Sequence, residues 1–153
     1  MPSIITEINQ IGIVTDDIDR TIEEFKKLGL TDWSEVEVSP AGRFENYESR
    51  GVKGVEFGLK SAVNNELNIE VELIQPLDEN SDYADFLKRN GGPGIHHISV
   101  DTDDQDWAAE QAGGKKLVGA KNKGIPIGFA YYDFRDKVGL ITEYFPFMYP
   151  DES

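Results

Sequence analysis

Two glutamates stand where a carboxylate is costly. In Asn68-Ile69-Glu70-Val71-Glu72-Leu73-Ile74-Gln75-Pro76 the alternation of a β-strand puts Ile69, Val71 and Leu73 on one face and Glu70, Glu72 and Ile74 on the other. In Gly139-Leu140-Ile141-Thr142-Glu143-Tyr144-Phe145 the same period groups Glu143 with Ile141 and Phe145. An ionised carboxylate flanked by apolar residues in an inner strand needs something positive to meet it, which a metal cation would supply.

A repeat brings further donors to these two. Residues 8–19 lie over residues 95–106, an offset of 87, with six identities in twelve positions: Ile8, Ile11, Thr15, Asp16, Asp17 and Asp19. Under a pseudo-twofold axis relating the copies, Gln10 maps onto His97 and Glu72 onto Glu143, and the first and last strands of each copy approach their counterparts. Two carboxylates, an imidazole and an amide oxygen make a neutral site for a divalent ion with open positions, a mixture that suits Zn, Ni, Co, Mn or Fe better than a cage of hard oxygens. Of the adjacent pair His96-His97, His96 is expected to be an ordinary satisfied histidine.

The elements that must position these residues follow from the same repeat. Each copy begins with a short apolar strand ending in Thr-Asp-Asp, side chains that accept from the free N–H groups of a first helical turn and suit its dipole. The first helix is expected at about 17–28, with Ile18, Ile22, Phe25 and Leu28 on one face and Gly29 as the left-handed stop; the second, at about 104–112, carries Trp107 and Ala108. Strand-like segments follow at 33–39, 45–50, 52–59 and 68–75, then at 116–120, 127–133 and 139–145. The expected fold is α+β: two βαβββ modules forming a pseudo-twofold cupped mixed sheet around a metal-containing cleft. Module one covers about 6–76, a connector about 77–93 and module two about 94–147 of a single domain, 1–153. The connector reads as a short helix capped by Ser81 and ended by Gly91-Gly92-Pro93-Gly94.

Composition narrows the partners. With 15 basic and 29 acidic residues, the net charge of −14 repels nucleic acid and anionic lipid alike. The absence of cysteine removes disulfides, thiolate ligands and a cysteine nucleophile. No stretch reads as a signal peptide or a membrane span, so a cytoplasmic protein is the expectation. Sheet edges that need cover make a homodimer plausible.

These residues resemble the vicinal oxygen chelate (glyoxalase/bleomycin resistance/dioxygenase) superfamily over about residues 8–146. Within it they look most like methylmalonyl-CoA epimerase: Ile11-Gly12-Ile13-Val14, Val71-Glu72-Leu73 before Pro76-Leu77, Ser81 through Phe86-Leu87, Gly94-Ile95-His96-His97-Ile98, Gly124-Ile125-Pro126, and Gly139 to Glu143. The resemblance implies metal ligands at Gln10, Glu72, His97 and Glu143, and a further proton-transferring glutamate on a third strand of the first half, the place of Glu56. It departs at Gln10, where epimerases usually carry histidine; the resulting set looks like that of some glyoxalase I enzymes.

The implied activity is epimerase or isomerase chemistry, a metal-dependent proton transfer next to a carbonyl or thioester with Glu143 and Glu56 as acid and base. The substrate is a small molecule, such as an acyl thioester; a CoA handle would call for basic residues, and the evident cluster is Lys115, Lys116, Lys121 and Lys123. The alternatives are a glyoxalase I-like thiol lyase and, among non-enzymes, a small-molecule or antibiotic binding protein. Trp33, Phe44, Tyr47, Phe57, Phe129, Tyr131 and Tyr132 could line an apolar pocket.

Overall fold

The computed structural model describes residues 1–150. The chain runs β1 (Glu7–Val14), α1 (Ile18–Lys27), β2 (Glu37–Ser39), β3 (Glu45–Ser49), β4 (Val52–Lys53), β5 (Leu59–Asn64), β6 (Glu70–Pro76), α2 (Asp82–Asn90), β7 (Gly94–Asp101), α3 (Gln105–Gln111), β8 (Val118–Lys121), β9 (Ile127–Phe134), α4 (Arg135–Val138) and β10 (Leu140–Met148). All ten strands join one sheet in the order β2-β5-β6-β1-β7-β10-β9-β8-β3-β4.

The order carries the symmetry of the repeat. β1 and β7, the paired segments of the sequence, lie antiparallel at the centre, from Glu7 opposite Asp101 to Val14 opposite Gly94. Each is flanked by the last strand of its own module in parallel, β6 beside β1 and β10 beside β7. The helix after each first strand covers the outer face: Ile18 and Ile22 pack on Ala62 and Leu73, and Ala108 packs among Val100, Ala130, Tyr132 and Tyr144. A third cluster, with Tyr47, Phe57, Ile74, Tyr83, Phe86, Tyr131 and Ile141, includes residues from the face that carries Glu72 and Glu143.

One strand pair breaks the symmetry. The hairpin β3–β4 leaves its own module and extends the other, pairing β3 with β8. Glu48 secures the crossing: it is buried, and its carboxylate accepts the backbone N–H of Lys116 at 2.8 Å. The expected strand at 52–59 therefore splits. Gly51 and Gly54, at φ 78° and 85°, turn the chain on either side of β4, and regular pairing resumes only at Leu59 as β5, antiparallel to β6. The alternation Leu59, Ser61, Val63 against Lys60, Ala62, Asn64 is diluted by polar residues, which hid β5; Asn64 is buried because its amide reaches Glu66 and the carbonyl of Asp32. The expected strand at 33–39 shrinks to β2, Trp33 contributing an isolated bridge to Asn64.

The caps divide into two that form and one that does not. Asp17 accepts from Arg20 N–H at 3.0 Å, and Asp104 accepts from Asp106 and Trp107 at 2.9 and 3.1 Å. Ser81 occupies the N-cap of α2, but its buried hydroxyl has no partner; its carbonyl starts the helix instead. Asp17→Ala is therefore expected to lower stability by about 1 kcal/mol, whereas Ser81→Ala, which removes an unsatisfied hydroxyl, should be neutral or stabilising. Paired thermal denaturation curves check both, and equal losses would mean that Ser81 caps after all.

Candidate metal centre

The site grows out of two rows of side chains on the inner face. Cross-strand register places Glu70, Gln10, Ser99 and Glu143 side by side on β6, β1, β7 and β10. One pleat along, Glu72, Gly12 and His97 form the second row. The two positions with least side chain, Gly12 and Ser99, lie between the larger polar groups. Gly12 is small for a reason that the geometry makes plain: a Cβ there would fall 2.0 Å from His97 Cε1 and 2.1 Å from Nε2. The imidazole occupies the volume that any other residue would fill.

Glu72, His97 and Glu143 each offer one ligand atom, and the three atoms lie within 4.8 Å of one another. Metal bonds of about 2.0–2.2 Å allow ligand atoms up to about 4.4 Å apart across the ion, so closure needs only a small movement. His97 Nε2 and Glu143 Oε1 are 3.6 Å apart, too far for a hydrogen bond. Gln10 completes the set in an indirect way. Its Nε2 donates to Glu70 Oε1 at 2.6 Å, and its Oε1 is buried with no partner. Two carboxylates, an imidazole nitrogen and an orphaned amide oxygen are a donor set that fits a divalent metal.

The electrostatics agree. Burial, then the charge of Glu143, with smaller contributions from Glu70 and Glu37, pushes the Glu72 carboxyl well above its usual range. The cleft above the cluster has a volume of about 700 Å³ and takes Glu7, Glu37, Glu70, Glu72 and Glu143 into its walls, with no lysine or arginine among the described lining residues. Concentrated negative charge with no protein cation facing it is a setting for a metal ion.

Behind His97 runs a chain of buried contacts. Its Nδ1 meets His96 Nδ1 at 2.9 Å; His96 Nε2 meets Asp82 Oδ2 at 2.8 Å; and Arg89 grips Asp82 with two bonds of 2.8 Å. Burial holds His96 down at about 4 despite the pull of Asp82, so at neutral pH its contact with Asp82 is a neutral imidazole's hydrogen bond and not an ion pair. Burial raises Asp82, but the Arg89 fork and the His96 N–H outweigh it and hold the carboxyl at about 2. An acceptor-only carboxylate takes the Nε2 proton of His96, leaving His96 Nδ1 to accept from His97. The Nε2 lone pair of His97 is then turned toward Glu143, where the hydroxyl of Tyr131 donates to it at 3.3 Å.

The residues expected from sequence fall into two groups. Glu72, His97 and Glu143 come together, and Gln10 lies in the same cleft. Glu56 does not line it. The expected third strand is interrupted there, and Glu56 is exposed on the irregular stretch between β4 and β5, in a neighbouring depression that shares Phe44 with the cleft. Of the aromatic residues expected around a pocket, Phe44, Phe129 and Tyr131 line the cleft, Tyr47 and Phe57 belong to the inner core, and Tyr132 and Trp33 pack beneath helices. Glu70, Gly12 and Asp82 were not singled out. Glu70 shares the face of Glu72 in the alternation, which is a usable signal; Gly12 depends on the pairing of β1 with β7 and Asp82 on the docking of α2 beside His96, neither of which a local pattern reveals.

Known proteins match this chain at both levels. Residues 9–131 match the model of the Glyoxalase/Bleomycin resistance protein/Dioxygenase superfamily. Mitochondrial methylmalonyl-CoA epimerase of Dictyostelium discoideum is 31% identical over 100 residues, covering 65% of this chain and 51% of the relative. The human mitochondrial enzyme is 26% identical over 110 residues, covering 72% and 54%. The chain thus spans about half the length of these curated relatives. A methylmalonyl-CoA epimerase solved with methylmalonyl-CoA and NH4+ superposes with a TM-score of 0.59 at 23% identity, over 95% of this chain and 99% of that one. The epimerase of Mycobacterium tuberculosis superposes with a TM-score of 0.58 at 20% identity, over 97% and 91%. Repeat, cupped sheet and family match agree: the chain belongs to the glyoxalase/bleomycin resistance protein/dioxygenase superfamily.

Proposed function

We propose that the cleft carries out metal-dependent proton transfer at a carbon next to a carbonyl or thioester, the epimerase class of its relatives, on a small acyl thioester. The observation that carries this reading is the cluster of Glu72, His97 and Glu143 at the base of a cleft large enough for such a substrate. A divalent ion held by these three with Gln10, of the Zn, Ni, Co or Mn type, would supply charge stabilisation at the substrate oxygen.

The chain's own groups do the rest. Glu143, buried yet lining the cleft, exchanges the α-proton on one face of the carbon. Burial and the charge of Glu143 keep the phenols of Tyr83 and Tyr131 protonated, so neither acts as a base. Phe44, Phe129 and Leu59 exclude water from the inner wall, while Ile8, Leu67 and Phe145, exposed at the rim, give an apolar tail its contact. Inversion needs a carboxylate on each side of the carbon, and Glu56, across Phe44, is the candidate for the second, with Glu37 on the cleft wall as its rival. The protein is further proposed to work in the cytoplasm as a homodimer; no helix among the described residues is long and apolar enough to cross a membrane.

The test is exchange of substrate α-protons with deuterated solvent, using methylmalonyl-CoA and related thioesters on metal-loaded protein. Exchange is expected, and Glu143→Gln should slow it by about 10²–10⁴. A two-carboxylate mechanism predicts that Glu56→Gln still exchanges one epimer while inversion is lost. Metal-loaded protein that exchanges no thioester but turns over a hemithioacetal would move the assignment to the lyase class.

A further inference from the structure

Gln10 raises a question that its register answers. An amide is a donor at one end and an acceptor at the other, and only the acceptor end can serve a cation. A side chain free to turn about its last bond offers both. Here the turn is blocked: Glu70, directly across on β6, is acceptor-only when ionised, so it takes the NH2 end at 2.6 Å and would repel the oxygen. Glu70 stands on the opposite side of β1 from Ser99 and Glu143, so the amide oxygen is turned away from β6, and there it is buried without a partner. Glu70 itself is not one of the three clustered ligands.

We infer that Glu70 is the positioning residue that sets the amide of Gln10 with its oxygen toward the cluster, making Gln10 the fourth ligand. The inference rests on the metal reading of the site and concerns this chain's own solution to having an amide at position 10. Glu70 acts through hydrogen bonding: its acceptor atom matters, and its charge is incidental.

That distinction makes the test sharp. Cobalt(II) affinity is measured by titration of the metal-free protein, with the visible Co(II) absorption recorded at saturation, for the parent, Glu70→Met, Glu70→Gln, Gln10→Ala and Gln10→Ala combined with Glu70→Met. Methionine keeps the length but its thioether is only a weak acceptor, so affinity should fall by about 10–100-fold and the Co(II) spectrum should change as an oxygen ligand is lost. Glutamine removes the charge and retains a carbonyl oxygen for the Gln10 amide, but its own NH2 can also turn to Gln10, so the loss should be smaller than in Glu70→Met. In the Gln10→Ala background Glu70→Met should have no further effect. Equal losses in Glu70→Gln and Glu70→Met that persist without Gln10 would show that Glu70 acts as a nearby charge, and the inference falls while the metal site stands. A parent protein that binds no Co(II) would remove the metal reading itself, and this inference with it.

Discussion

Gly12→Ala is expected to abolish metal binding while leaving the sheet assembled. The added Cβ would stand 2.0 Å from the His97 ring, a distance no contact tolerates. The backbone of Gly12 is not in the left-handed region, so alanine can adopt it, and the three nearest atoms that its Cβ would meet all belong to the imidazole. Overpacking of this kind costs about 1–3 kcal/mol, too little to unfold most domains. The ring must leave, taking its Nε2 from the cluster and breaking its contact with His96. Metal content by plasma mass spectrometry on protein purified without a metal-binding tag should fall from about one equivalent to a small fraction, as in His97→Ala. Combining Gly12→Ala with His97→Ala should do no further harm. A Gly12→Ala protein that retains full metal would mean that His97 coordinates from elsewhere.

The second large effect belongs to Asp82. Asp82 is 3% exposed and its carboxylate serves Arg89 and His96 together, so Asp82→Asn leaves a guanidinium without its countercharge and weakens the contact that orients His96. Breaking a buried pair costs about 3–5 kcal/mol, and the partial exposure of Arg89 argues for the lower end. At about 2–4 °C per kcal/mol for a chain of this size, the melting temperature of metal-free protein should drop by roughly 6–12 °C. With only two histidines in the chain, the long-range ¹⁵N–¹H pattern of the imidazoles is readable directly. His97 should carry its proton on Nδ1 in the parent and lose that preference in Asp82→Asn. A variant melting within a degree of the parent would mean that Arg89 and His96 find other partners.

Acid dependence follows from the same pair. His96 is lowered from an ordinary 6.5 to about 4, so below pH 6.5 the unfolded chain binds a proton that the native one refuses, and stability declines toward pH 4. Asp82 is lowered from 3.8 to about 2, so its stabilisation, complete above 3.8, is lost as the pH falls through 2. Both act in one direction, and Glu72 opposes them, because its raised carboxyl takes its proton more readily in the native state than in the unfolded one; the contribution of the pair is read from the difference between the metal-free parent and Asp82→Asn, which should lose the lower part of the acid destabilisation.

How much of this was legible in the sequence depends on whether the signal was local. The strand starts at Ile8 and Ile95, the Asp17 and Asp104 caps and the faces of Glu72 and Glu143 all follow from spacing along the chain, and the internal repeat related the halves correctly. What stayed hidden required knowing which strand lies beside which. Gly12 reads as an unremarkable strand glycine until β7 sets His97 against it. Glu70 and Gln10 are 60 residues apart and meet only through β1–β6 pairing. The resemblance puts Glu56 on a third strand, within the segment 52–59, but the turn at Gly54 and the departure of β3–β4 to the other module leave that stretch irregular.

The crossing of β3 also bears on how the chain is made. Glu48 and the backbone N–H that it accepts are 68 residues apart. At a synthesis rate of about 5–20 residues per second, the hairpin waits roughly 3–14 s for its partner to be polymerised. During that interval a carboxylate destined for burial and an open strand edge face the solvent. The amino-terminal module is therefore unfinished until residue 116 has been made, and a nascent chain stalled before that residue should remain a substrate for chaperones and proteases, despite holding one whole copy of the repeat.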